Sequence, residues 1–170
     1  MINDVRALEA PGALEAAAAS GAAVCLMHMR GEPRSMQEDP RYGDVVAEVG
    51  AYLAARVDAC RRAGIGPERI SVDPGIGFGK RPEHNLALLA ALERLAQPGV
   101  PVLIGVSRKS LVGIITGRPP GERLAGSLAF AALAVARGAA IVRAHDVAAT
   151  VDAVKVASAL RRAGSGGTWQ

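Results

Sequence analysis

With 170 residues, half of them hydrophobic, the chain can bury one core of ordinary size, and a single domain is the default. The net charge of +4 and pI of 9.6 come from scattered Arg residues with no basic run or aromatic-basic interleaving, so no nucleic-acid partner is indicated and an anionic small substrate fits better. Aromatics make up only 3%, which favours close helix-on-sheet packing over an aromatic-rich sandwich.

In chain order, Met1-Ile-Asn-Asp4 reads as the last residues of a strand. Short apolar runs at 24–29, 70–72, 100–106 and 140–144 read as further buried strands. Between them lie helical segments at 12–20, 42–63, 82–95, 109–116, 122–137 and 147–163, with Gly64, Gly117 and Gly138 as stop signals. This alternation predicts an α/β fold with a parallel sheet and crossover helices, and a sheet of that kind has edges that must be covered or closed. The charged loop 30–41 is long for a βα connection, and it reads equally as a functional loop and as a solvated linker. The tail 164–170 is low in complexity and is expected to be frayed and flexible, leaving 1–163 as the domain. Cys25 and Cys60 read as reduced structural thiols. No signal peptide is visible, and no uninterrupted apolar run approaches the roughly 18 residues of a membrane span, so a cytoplasmic protein is expected.

The most informative segment is Asp73-Pro-Gly-Ile-Gly-Phe-Gly-Lys80, which places three glycines and a carboxylate behind an apolar run. Repeated glycine belongs where a chain turns sharply or approaches something closely. A phosphate-cradling loop ending at Lys80 needs Gly at 74 and Ser or Thr at 81, but the chain has Pro74 and Arg81. A dinucleotide fingerprint from Gly75 needs Gly at 80, where Lys80 stands. What remains is a strand delivering Asp73 at its carboxyl end, the end at which parallel α/β proteins bind ligands. Asp before Pro is also common in turns, so both readings stand for the residue alone.

Polar residues close every predicted strand: Asn3-Asp4, His28, Asp73, Ser107-Arg-Lys-Ser110 and Arg143-Ala-His-Asp146. With Leu26-Met-His-Met-Arg-Gly31, Gly105-Val-Ser-Arg-Lys-Ser110 and Gly126-Ser-Leu-Ala129, these motifs in this order resemble dihydropteroate synthase up to about residue 162. The resemblance implies a TIM (β/α)₈ barrel, of which this chain is similar to the carboxyl-terminal half, strands four to eight. It implies a transferase of folate biosynthesis that joins 6-hydroxymethyl-7,8-dihydropterin pyrophosphate to 4-aminobenzoate, and that sulfonamides target.

By the same resemblance, Asp73 accepts the paired donors of the pterin edge, Asn3 reads the ring from strand four, and Met27 packs on it. Lys109 reaches the pterin carbonyl and the aminobenzoate region, Gly105 and Ser107 line that region, and Phe78 lies beside the aminobenzoate ring. Arg143 stacks on the pterin and donates toward phosphate, and His145 holds the leaving pyrophosphate. Lys109, Arg143 and His145 are thus the candidate catalytic residues. His28 reads as structural, and Arg108 as solvated or paired. A strand-end pair of Arg143 with Asp146 is the plainer alternative for Arg143.

The family's Mg²⁺ ligand, the mobile loops after strands one and two and a second pterin-reading Asp have no counterpart in these residues, so the chain alone is expected to be inactive. The resemblance also implies a homodimer through the last helices, or pairing through open barrel edges. A non-catalytic pterin- or anion-binding half-barrel that assembles with a partner half is the alternative, and a methyl-tetrahydrofolate-binding barrel ranks below both.

Overall fold

The computed structural model describes residues 1–32, 36–96 and 99–164. Five parallel strands run side by side in chain order among the described residues. β1 (Ile2–Asp4) pairs with β2 (Val24–Met27), in register Ile2 to Val24. β2 pairs with β3 (Ile70–Asp73), which sets Met27 beside Asp73. β4 (Leu103–Ile104) pairs with β5 (Ile141–Val142). The two sheets meet through isolated bridging such as Val72 to Val102, where Val72 N–H donates to Pro101 O at 3.0 Å. Every residue of β2 and β3 is buried, as expected of strands covered on both faces.

Connections carry the helices α1 (Ala13–Ser20), α2 (Val45–Arg62), α3 (Pro82–Ala90), α4 (Leu92–Leu95), α5 (Ser110–Thr116), α6 (Leu124–Ala136) and α7 (Val147–Gly164). In α2 the buried stripe Val45, Val49, Leu53, Val57 and Cys60 repeats at helical spacing and covers the sheet. Asp44 caps this helix, accepting from Val46 N at 2.9 Å and Ala47 N at 3.1 Å, so α2 starts at Val45 and not at Tyr42. The cap frees Tyr42, whose hydroxyl donates to Gly79 O at 2.8 Å.

Several expected boundaries move. The helix expected at 82–95 breaks at Ala91, whose N–H is shared between Ala87 O and Leu88 O, and the tightened turn swings Leu92 and Leu95 into the core. The strand expected at 100–106 shrinks to Leu103–Ile104 because Pro101 has no N–H to place in the ladder. The strand expected at 140–144 shrinks to Ile141–Val142. Beyond it, Arg143 N still reaches Ile104 O at 2.9 Å, but His145 N turns to the Ser107 hydroxyl at 3.2 Å. Gly164, assigned from sequence to the tail, closes α7, and 165–170 lie outside the described residues. Cys25 and Cys60 are both buried free thiols, and burial pushes the Cys25 thiol up to about 11.

Candidate active site

The carboxyl ends of β2, β3, β4 and β5 meet along one rim, and the glycine segment is its centre. Gly75 and Gly79 have φ of +69° and +63°, and a Cβ built on them lies 1.9 Å from His28 O and 2.1 Å from Arg30 O. The close approach predicted by these glycines is therefore backbone on backbone: the loop lies flat against the chain leaving β2. Side chains fasten it further. Asn85, buried in the second turn of α3, accepts from Gly77 N at 2.8 Å and donates to Lys80 O and Arg81 O. From loop 30–41, Gln37 donates to Gly77 O at 2.5 Å and Asp39 pairs with Arg81 at 2.7 Å, although 33–35 lie outside the described residues.

Asp73 ends β3 with its carboxylate almost wholly enclosed. One oxygen accepts from Gly75 N at 2.8 Å and the other from the Arg143 guanidinium at 3.0 Å. Arg143 reaches it across Gly105, where a Cβ stands 2.8 Å from the guanidinium nitrogen, so the missing side chain at 105 makes room for the arginine. Arg143 thus pairs with Asp73, and the alternative Asp146 belongs to Arg108, which makes two hydrogen bonds to it. Arg108, at φ +60°, also donates its N–H to the Ser127 hydroxyl at 2.9 Å, fixing the turn before α5.

Lys109 stands at the mouth of α5. Its ammonium donates to Ile76 O and lies 4.7 Å from the centre of the half-buried Phe78 ring, a cation over an aromatic face. Burial pulls Lys109 down to about 8; Asp73 opposes that fall and Arg143 adds to it. On the neighbouring turn the Ser107 hydroxyl sits 3.0 Å from His145 Nδ1. The fold thus brings Asp73, Phe78, Gly105, Ser107, Lys109, Arg143 and His145 together along this rim. Met27 is buried beside Asp73, and Asn3 is exposed on β1, two strands away from β3.

Two groups carry more than the sequence indicated. Lys80 is buried, and burial draws it down to about 7, with Lys109 and Arg30 adding to the fall and Asp73 opposing it. Its Nζ lies 3.0 Å from Nδ1 of His28, whose ring packs edge-on against Tyr52. Burial, then the charge of Lys80, pushes His28 down to about 3. The available signal was Lys80 itself, a lysine that closes a glycine loop directly behind a strand.

A pH dependence follows. Folded His28 takes its proton only near pH 3, whereas an unfolded imidazole takes it near 6.5, so between those values the unfolded chain binds more protons. Stability is therefore complete above the unfolded value and declines on acidification, by a contribution on the order of 3–5 kcal/mol over the window. Urea unfolding at pH 7, 5.5 and 4.5 should show a flatter decline for His28→Gln; equal slopes would remove His28 from the account.

Among the described residues no three His, Cys, Asp or Glu side chains group to hold a metal ion, and no helix is long and apolar enough to cross a membrane. The rim is instead cationic, with its one enclosed carboxylate already engaged.

The sequence model of the pterin binding enzyme family matches residues 1–145. The chain belongs to that family. Among pterin binding enzymes, it is 51% identical over 159 residues to the dihydropteroate synthase of Escherichia coli K12, covering 94% of this chain and 56% of that protein. A Yersinia pestis dihydropteroate synthase solved with a sulfonamide drug superposes with a TM-score of 0.90 at 46% identity, over 94% of this chain and 58% of that one. A Xanthomonas albilineans dihydropteroate synthase in complex with 7,8-dihydropteroate superposes with a TM-score of 0.86 at 51% identity, over 95% and 59%. The chain thus spans a little over half the length of these relatives.

Proposed function

We propose that the protein is a dihydropteroate synthase, condensing 6-hydroxymethyl-7,8-dihydropterin pyrophosphate with 4-aminobenzoate to give 7,8-dihydropteroate and pyrophosphate. We further propose that the chain forms strands four to eight of a (β/α)₈ barrel, a reading supported by parallel strands that lie side by side in chain order. The observation that carries the functional reading is the meeting of Asp73, Arg143 and Lys109 at one rim, from three different strand ends.

The chemistry then divides among the residues. Asp73 has lone pairs left after Gly75 and Arg143 are served, and they accept the paired donors of the pterin edge. Arg143 covers the ring with its planar guanidinium, Met27 supports it from β2, and Asn3 reads it from β1. Lys109 donates to the pterin carbonyl, while Phe78, Gly105 and Ser107 shape the aminobenzoate side. His145 and Arg143 receive the departing pyrophosphate. As the C–O bond breaks, positive charge grows on the pterin methylene; the aminobenzoate nitrogen attacks it and then loses a proton. No protein nucleophile is needed, and fixed charges do the stabilising. Magnesium is expected from the resemblance, but the cationic donors described here do not suit it, so no step is assigned to it.

A second reading, a non-catalytic half that assembles with a partner half, is favoured by a 610 Å³ apolar trough between β5 and α7, lined by Val142, Val147, Val151 and Val154. The homodimer through the last helices is supported by Leu133, Val156 and Leu160, which stand 59%, 63% and 69% exposed on α6 and α7. The deciding assay follows labelled 4-aminobenzoate into dihydropteroate with the protein expressed from its full reading frame. One pyrophosphate is expected per product, with competition by a sulfonamide. Pterin binding without any product would favour the second reading instead.

A further inference from the structure

We propose that Lys80 is a positioning residue, whose buried ammonium staples the glycine loop to the end of β2 and so holds the aminobenzoate side of the site in shape. The proposal rests on the synthase reading above and adds to it a residue that touches no substrate.

A lysine only 3% exposed is costly unless its charge is well served. Here Nζ donates to Phe78 O at 3.0 Å, Gly75 O at 3.1 Å and His28 O at 3.3 Å, with His28 Nδ1 a further 3.0 Å neighbour. Those acceptors come from two segments that are far apart in sequence and pressed together in space, the same two whose contact Gly75 and Gly79 make possible. Their carbonyl oxygens converge. Without a cation between them they repel one another and stay buried unsatisfied, so the loop lifts away from β2.

The arrangement also separates the two halves of the site. Phe78 turns its carbonyl inward to Lys80 and its ring outward under Lys109, which makes the staple a lever on the ring. The pterin-side groups are fixed by other means: Asp73 by its place in β3 beside Met27, and Arg143 by the gap over Gly105. The stapled segments do reach Asp73, through the Gly75 N–H, the His28 N–H and the charge of Lys80, but its backbone stays paired in β3 without them. Loss of the ammonium is therefore felt mainly by the aminobenzoate subsite.

The test is Lys80→Met, which keeps the length of the side chain and removes its donors. The KM for 4-aminobenzoate is expected to rise about tenfold or more, with the KM for the pterin pyrophosphate within about twofold. Amide exchange at Gly77 and Phe78 should quicken while β3 stays protected. Two results overturn the proposal: both KM values unchanged, or both raised together. If the variant does not fold, amide exchange in the unsubstituted protein decides. Gly77 and Phe78 protected like β3 support a staple, and exchange as fast as at Arg118, exposed just beyond the end of α5, overturns it. Should the unsubstituted protein, expressed from its full reading frame, make no dihydropteroate at all, the synthase reading falls while the exchange comparison still judges the staple.

Discussion

Replacing Asp73 by Ala is expected to abolish turnover and to weaken the fold. The carboxylate is the negative charge shared by Lys80, Lys109 and Arg143, and the first two would be pulled further down without it. Removing one partner of a buried ionic group leaves the others uncompensated, a loss of about 3–5 kcal/mol. Asp73→Asn separates recognition from stability. It keeps an acceptor for Gly75 N but turns an NH₂ toward a guanidinium and toward the donor edge of a pterin. Urea stability above that of the Ala variant but below that of the parent, with a loss of at least ~10³ in kcat/KM, is the expected result. An Asn variant active within about tenfold of the parent would reject the role given to Asp73.

Lys109→Met should reach a comparable loss by another route. The ammonium is held at the rim by Ile76 O and the Phe78 face, aimed where charge is expected to develop. Removing one such preorganised donor costs about 10²–10³ in kcat. Stability should change little, because Met fills the same stem volume and no longer carries a half-buried charge. A second signature accompanies the first. Lys109 is charged below about 8, so the parent activity should fall as pH rises through that value and the variant should lack that limb. If the variant retains full kcat and the same alkaline limb, Lys109 is not part of the site.

The order of strands and helices was legible in the sequence because each apolar run and each Ala-rich stretch carries its own period. Boundaries were read less well. The helix was expected from Tyr42 and a strand through Pro101, although the capping side chain of Asp44 and the missing N–H of Pro101 are local signals that set both limits. Partnerships across the fold were not. Nothing near Arg143 says that it chooses Asp73, seventy residues away, over Asp146, three residues on; the choice is made by the space above Gly105. Lys80 was hidden for the same reason, since the carbonyl of His28 is an acceptor that no side-chain pattern announces. His28 read simply as structural, and it does lie buried, but its contact with Lys80 is a matter of tertiary packing.

The seam between the two sheets has a mechanical meaning. Hydrogen bonding across it thins to a bridge at Val72 and Val102, and just above that weak line the Arg143 guanidinium spans from the β5 side to a carboxylate on β3. The ion pair is a cross-brace. In the proposed complex the heterocycle settles on this brace, its donor edge on the lone pairs that Asp73 keeps, so a loaded site adds a second tie across the seam, and cargo acts as mortar for the wall that holds it.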